Sequence, residues 1–139
     1  MINFYYENDF RLEAEKQFSD WIKKVIISEG KNLEEVSYIF CDDEYLHQIN
    51  LKYLDHDTYT DIISFDDCVG DTLQGDIFIS TERVLENSKQ YEVSFEEELK
   101  RVMIHGVLHF CGYKDKSESE AALMRQKENE KIEMFHVEH

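Results

Sequence analysis

The sequence lacks proline entirely and has no stretch rich in glycine and serine. Segments of that composition commonly connect domains, so their absence leaves no candidate domain boundary. No internal repeat is present either. The sequence therefore predicts a single domain spanning residues 1–139, a length typical of one compact domain.

Long apolar runs are also absent. The longest contain only a few residues, far fewer than the roughly 20 that span a bilayer, and the N-terminus lacks the basic and apolar regions of a signal peptide. The three cysteines, Cys41, Cys68 and Cys111, have no paired spacing and indicate reduced thiols. We therefore expect a cytoplasmic protein with no membrane partner.

Basic residues are scarce. The chain has 15 lysines and arginines against 31 aspartates and glutamates, which gives a formal net charge of −16. Proteins that bind nucleic acids usually have a basic face, and no basic stripe with interleaved aromatic residues is visible. Charge alone therefore argues against a nucleic-acid partner. Because salt screens charges beyond about 8–10 Å in cells, a metal ion and a few local lysines could still attract RNA.

Hydrophobic periodicity and capping signals predict the secondary structure. The predicted strands are 2–6, 36–41, 60–66 and 75–80, with a hairpin-like loop at 67–74. The predicted helices are 12–29, 42 or 43 to about 53, 81 to about 91, 94–112 and 117 to about 134. Thr81 is a candidate N-cap, and Ser94 and Ser117 each begin a capping box. This order predicts an α+β domain with one mixed four-stranded sheet covered by about five helices.

Two histidines four residues apart in a predicted helix are the strongest chemical signal. His105 and His109 lie on one helical face about one turn apart, so both rings can reach one cation. Gly112 can end the helix, and the next loop can return Asp115 to the same ion. We predict a metal site of two histidines and a carboxylate, with positions left for water as in catalytic sites. Histidines at this spacing are also found as ordinary surface or core residues.

The residue after the first histidine excludes one class of metalloenzyme. Zinc peptidases of the His-Glu-x-x-His type have a general-base glutamate there, whereas this chain has Gly106. A peptidase mechanism of that kind therefore lacks its base. Cys111 lies about 200° around the helix from His109 and is interpreted as a packed residue.

The segment 105–113, His-Gly-Val-Leu-His-Phe-Cys-Gly-Tyr, resembles the signature of the YbeY family of rRNA maturation factors, His-Gly-x-Leu-His-x-x-Gly-Tyr-Asp-His. Asn50 with Tyr53, Thr-Asp-Ile-Ile-Ser-Phe at 60–65 and Gly-Asp-Ile-Phe-Ile-Ser at 75–80 also resemble family segments. The resemblance implies a zincin-like α+β fold, a zinc or similar divalent ion, and single-strand endoribonuclease activity. It further implies 3′-end maturation of small-subunit rRNA and ribosome quality control. The expected partners are single-stranded or ribosomal RNA and the small ribosomal subunit, and DNA is not expected.

Two positions depart from the family pattern. Asp115 stands where the third ligand histidine falls, and its carboxylate removes one positive charge from the site. Zinc remains the expected ion, but Mn²⁺ and Mg²⁺ become better competitors. Leu54 stands where the family usually has an arginine suited to phosphate. Either a lysine at position 52, 114 or 116 replaces that arginine, or the activity on RNA is weak.

Four further residues are candidates for the reaction. Asp61 and Asp76, in the matched strands, could orient a ligand histidine or the substrate or act as acid or base, or they could cap a turn or join the sheet to a helix. Lys114 and Tyr113 are candidate substrate-binding residues. Tyr113 would stack on a base, although an aromatic residue after a helix-ending glycine more often packs. Two other functions stay open: a metal-dependent hydrolase of another substrate, and a ribosome-assembly binding module with a structural metal.

Overall fold

The computed structural model describes residues 1–56 and 58–137, with side chains as far as residue 135. The strands in this part of the chain are β1 (Ile2–Tyr6), β2 (Asn32–Cys41), β3 (Ile62–Asp66) and β4 (Thr72–Ser80). The helices are α1 (Glu15–Ser28), α2 (Asp43–Leu54), α3 (Thr81–Gln90), α4 (Phe95–Phe110) and α5 (Glu118–Val137). The predicted α+β class, with a mixed four-stranded sheet and five helices, is confirmed. No helix among the described residues is long and apolar enough to cross a membrane.

The sheet has the strand order β1-β2-β4-β3. β2 is parallel to both β1 and β4, and β3 pairs antiparallel with β4 at the edge. Both β2 and β4 begin earlier than predicted, because Asn32 pairs with Thr72 and Leu33 with Leu73. The loop between β3 and β4 is therefore shorter than the predicted 67–74. Pairing with β2 satisfies the backbone hydrogen-bonding groups of residues 72–74, which the local polar sequence does not assign to a strand.

The two faces of the sheet bury different clusters, because side chains alternate along a strand. Ile77 and Ile79 face the larger core beneath α1, α4 and α5, whereas Phe78 faces a smaller cluster beneath α2. Gly106 lets α4 approach the sheet closely, since a Cβ there would lie 2.9 Å from Ile77 Cδ1. The side chains of Ile62 and Ile77 therefore occupy the space that a side chain at position 106 would need.

Local capping chemistry fixes the start of α5 as predicted. The amide of Ser117 donates to Glu120 Oε1 at 3.0 Å, and the amide of Glu120 donates to Ser117 Oγ at 3.1 Å. Ser94 caps α4 by accepting from the amide of Glu97 at 3.0 Å. Both helix starts thus follow from short segments of sequence.

Two predicted helix starts were wrong. Ser80, not Thr81, is the N-cap of α3, because its hydroxyl accepts from the amide of Arg83. Helix α1 begins at Glu15 rather than at residue 12, because Ala14 adopts a left-handed conformation with φ of 60°. Leu12 is buried as its spacing predicted, but it lies in the segment before α1 and not in the helix.

Candidate metal centre

The C-terminal end of α4 presents both histidines and then reverses the chain. Gly112 has a φ of 106°, which favours glycine. Its amide donates to the carbonyl of His109 at 3.0 Å, and the amide of Tyr113 donates to the carbonyl of Leu108 at 3.1 Å. This pair of bonds is a Schellman motif. The turn returns Asp115 to the face that carries the histidines.

Three side-chain atoms converge at this turn. His105 Nε2 lies 3.0 Å from His109 Nε2, and Asp115 Oδ2 lies 3.2 Å from His105 Nε2 and 3.5 Å from His109 Nε2. Ligand atoms that bind one ion tetrahedrally at about 2.0–2.1 Å are about 3.3–3.4 Å apart. The observed spacing therefore fits one small divalent ion.

A hydrogen bond at Nδ1 of each histidine ring determines that Nε2 faces the other converging atoms. Nδ1 of His105 donates to Glu128 Oε2 at 2.6 Å, and Nδ1 of His109 donates to the carbonyl of Tyr113 at 2.9 Å. In the neutral tautomer that these bonds select, both Nε2 atoms carry lone pairs. Two lone pairs and a carboxylate oxygen thus point at one another, an arrangement that a bound cation stabilises.

Glu128 of α5 is the residue that sequence reasoning missed. Its side chain is 6% exposed and also accepts from Arg101 at 3.0 Å. Burial alone would raise the pKa of Glu128, but the hydrogen bonds from His105 and Arg101 outweigh burial and hold that pKa below its usual value. Burial alone would likewise lower the pKa of His105, and its hydrogen bond to Glu128 raises that pKa instead. A carboxylate behind a ligand histidine orients the ring and increases its basicity.

One signal in the sequence could have found Glu128. Met124, Glu128, Lys131 and Phe135 are all buried on one face of α5. Their spacing of three and four residues is that of an apolar stripe, so two charged residues stand where apolar residues are expected. A charged residue on a buried helical face needs a partner, and the partner of Glu128 is a ligand histidine.

The structure brings Asp61 to the site. Asp61 lines the same clefts as His105, its carboxylate accepts from Asn87 at 3.4 Å, and burial raises its pKa. Its backbone carbonyl accepts from the amide of Ser80 at 3.0 Å, so it also joins β3 to the end of β4. It does not orient His105, because Nδ1 of that ring bonds to Glu128 and Nε2 faces His109 and Asp115.

Asp76 lies elsewhere. It alternates with Ile77 along β4 and so faces the side of the sheet opposite α4. Burial and the charges of Asp67 and Glu35 raise its pKa. Asp76 is therefore not brought together with His105 and His109.

The candidate substrate-binding residues after α4 have other surroundings. The hydroxyl of Tyr113 donates to Glu29 Oε1 at 2.7 Å, and Lys127 Nζ lies 5.6 Å from the centre of its ring. The ring is thus packed between α1 and α5, where it does not offer a face to a base. Lys114 is exposed, and it is Lys116 that lines the cleft at the metal group.

A cleft of about 760 Å³ opens over the three converging atoms. It runs between α4 and the segment from α2 to β3, and its lining includes Asn50, Thr58, Ser64 and Lys116. Leu54 also lines this cleft. The position at which the family resemblance implies an arginine therefore faces the cleft but contributes an apolar side chain.

Comparisons with known proteins show the family that the chain resembles over nearly its whole length. The family described as Endoribonuclease YbeY matches residues 3–136. A Flavobacterium johnsoniae protein named Endoribonuclease YbeY is 65% identical over 138 residues, 99% of each chain. A protein of the same name from Christiangramia forsetii is 65% identical over 137 residues, 99% of this chain and 96% of the relative. A relative of that name from Bacteroides thetaiotaomicron is 47% identical over 119 residues, 86% of this chain and 87% of the relative.

A solution structure of a Thermotoga maritima protein has the same fold. The two structures superpose with a TM-score of 0.70 at 24% sequence identity, over 99% of this chain and 91% of the other. At this identity the likeness concerns the fold alone.

Proposed function

The chain belongs to the endoribonuclease YbeY family, and we propose that His105, His109 and Asp115 hold one divalent ion at the centre of its RNA-cleaving site. The activity is hydrolysis of RNA phosphodiester bonds. The observation that carries the metal assignment is the convergence of two lone-pair nitrogens and one carboxylate oxygen within 3.5 Å. A bound divalent ion polarises a phosphodiester and acidifies water.

Zinc is the ion that this donor set favours. Two imidazole nitrogens suit zinc, whereas a carboxylate also suits Mn²⁺ and Mg²⁺. Asp115 is 38% exposed, against 21% for His105, so the carboxylate is the ligand that water reaches most easily. We expect zinc to bind most tightly and Mn²⁺ to replace it more readily than at a site with three histidines.

We propose that the substrate is single-stranded RNA. The cleaved segment is the 3′ end of small-subunit rRNA, and the reaction takes place in the cytoplasm. The open cleft over the metal group can admit a single strand, and Ser64 and Lys116 offer donors to its phosphates and riboses. Asp61 lines the cleft, and burial raises its pKa, which suits a group that holds or accepts a proton. With a net charge of −16, delivery of RNA within the small ribosomal subunit fits better than capture from solution.

Cleavage of a short single-stranded RNA, assayed with and without chelator, tests the proposal. We expect the chelator to abolish cleavage, zinc to restore it, and His109→Ala to lose both metal and cleavage. Asp76→Asn is the matched control for Asp115→Asn, because Asp76 lies on the opposite face of the sheet. Cleavage that survives both the chelator and His109→Ala would exclude a catalytic metal. Binding to small ribosomal subunits without any cleavage would favour a binding module.

A further inference from the structure

A second, smaller cleft of about 270 Å³ adjoins the metal group on the side of α3 and α5. It shares Asp61, Ile62, His105 and Asp115 with the larger cleft, so the two meet at the metal ligands. Its other lining residues include Asn87, Tyr91, Glu98, Arg101, Val102, Arg125 and Glu128. Two arginines line the smaller cleft beside four carboxylates, those of Asp61, Glu98, Asp115 and Glu128, whereas Lys116 lines the larger cleft.

The two arginines of this cleft differ in their partners. Arg101 is 16% exposed and donates to Glu128 and Asn129 at 3.0 and 2.9 Å, so its guanidinium is held in place. Arg125 is 61% exposed, and its Nε lies 3.9 Å from Glu128 Oε1, beyond hydrogen-bond distance. The exposed guanidinium of Arg125 can therefore donate to two oxygens of one phosphate.

An aromatic ring and an amide complete the lining. Tyr91, at the C-terminal end of α3, is 57% exposed. Asn87 lies one turn earlier on α3, and the hydrogen bond from its amide to Asp61 is long at 3.4 Å. Exposed aromatic faces stack on unpaired bases, and amides bind base edges.

From these three side chains we propose that the smaller cleft binds the nucleotide next to the scissile phosphate. Arg125 binds its phosphate, Tyr91 stacks on its base, and Asn87 contacts the base edge. A volume of about 270 Å³ lies just below the usual range for ligand pockets, so it suits one unpaired nucleotide better than a base pair. The assignment rests on the proposed function. It also places the phosphate-binding charge across the metal group from Leu54.

Arg125→Gln and Tyr91→Leu test this subsite, with Arg11→Gln and Tyr5→Leu as matched controls. Arg11→Gln changes the net charge equally, and Tyr5 is an exposed tyrosine on β1. The measurement is steady-state cleavage of a short single-stranded RNA at several salt concentrations. Arg125→Gln is expected to raise KM about tenfold and to reduce the slope of log KM against log salt by about 0.7. Tyr91→Leu is expected to raise KM about tenfold with the slope unchanged.

Arg125→Lys separates charge from geometry. It is expected to keep the salt slope while KM still rises, because an ammonium cannot make the paired hydrogen bonds of a guanidinium. Equal metal content in every variant would show that the metal group is intact. KM values of Arg125→Gln and Tyr91→Leu that match those of the controls would overturn the subsite.

A binding measurement distinguishes failure of the subsite from failure of the proposed function. Uridine 5′-monophosphate is titrated into the zinc-loaded protein while the ring signals of Tyr91 are followed by NMR. Shifts that disappear in Arg125→Gln, but persist in Arg11→Gln, support the subsite even if no RNA is cut. A titration that leaves the Tyr91 signals unchanged, alongside normal RNA cleavage, overturns the subsite and leaves the endoribonuclease intact.

Discussion

The two histidines of the metal centre are anchored in different ways. His105 donates directly to a buried carboxylate, Glu128 of α5. His109 donates to a backbone carbonyl, that of Tyr113, in the loop that follows α4. Both anchors fix the tautomer and direction of a ring, but the first carries a full charge and therefore raises the basicity of its ring more than the neutral carbonyl does.

Helix α5 nevertheless supports both anchors. Lys131, one turn after Glu128, donates to Glu29 Oε2 at 2.8 Å, and Glu29 accepts from the hydroxyl of Tyr113 at 2.7 Å. Lys131 and Glu29 thus fix the loop that holds His109, and we call the chain Lys131–Glu29–Tyr113 the relay. We expect disturbance of the direct anchor to change metal affinity, and disturbance of the relay to change mainly the stability of the fold.

Removal of the direct anchor has the largest expected effect. Glu128→Ala should weaken zinc binding by about 10–100-fold, because a carboxylate behind a ligand histidine contributes about this much. Glu128→Gln keeps an acceptor for Nδ1 and should lose less. Competition with a chromophoric chelator measures the affinity, and Glu133→Gln, an exposed position on the same helix, is the control. Unchanged affinity in Glu128→Ala would contradict a role for this anchor.

Exchange of the loop ligand comes next. Asp115→His should raise the preference for zinc over Mn²⁺, on the order of tenfold, because a third imidazole replaces the oxygen ligand that Mn²⁺ favours. Metal content after equilibration with equal amounts of both ions measures the preference. Asp115→Asn, which removes the charge but keeps an oxygen, is the matched comparison. An unchanged ion preference in Asp115→His would place Asp115 outside the ligand set.

The relay predicts a pH dependence of stability. Burial alone would raise the pKa of Glu29, but hydrogen bonds from Lys131 and Tyr113 hold it below the ordinary value of 4.5. A lowered folded-state pKa gives stability that is present above pH 4.5 and lost as pH falls through the folded pKa. Glu29→Gln should cost about 1–3 kcal/mol of unfolding free energy at neutral pH, and this difference should shrink with acid.

Urea unfolding of the wild type and Glu29→Gln at several pH values measures this difference. Glu13→Gln, at an exposed position before α1, is the control. A difference between wild type and Glu29→Gln that stays constant from neutral pH to pH 3 would contradict the assignment.

The smallest loss of stability is expected at Tyr113, the end of the relay opposite Lys131. Tyr113→Phe removes the hydroxyl that Glu29 accepts but keeps the backbone carbonyl that His109 contacts. We expect a loss of about 1 kcal/mol of stability and little change in zinc affinity. Chemical denaturation and chelator competition measure the two, with Tyr5→Phe as the exposed control. A large loss of zinc affinity would show that the second anchor acts on the metal as strongly as the first.

Local chemistry explains what the sequence could predict. The capping box at Ser117, the glycine turn at Gly112 and the spacing of His105 and His109 each depend on residues within a few positions of one another. The start of β4 and the position of Glu128 depend on pairing across the fold. Glu128 is 23 residues from His105 in the chain, and no local pattern connects them. Tyr113 shows the same limit, since its position after a helix-ending glycine favoured packing, but no local pattern identifies its partner Glu29, 84 residues away.

The Schellman turn also determines the electrical environment of the metal centre. His105 and His109 occupy the last two turns of α4, and the helix ends beside them at Phe110. The carbonyls at a helix C-terminus carry a partial charge of about −0.5, which stabilises cations within the last turn. The helix dipole therefore favours a bound ion and disfavours a phosphate at the same place. The scissile phosphate at that place must then be attracted by the ion itself, so RNA binding should depend on metal loading.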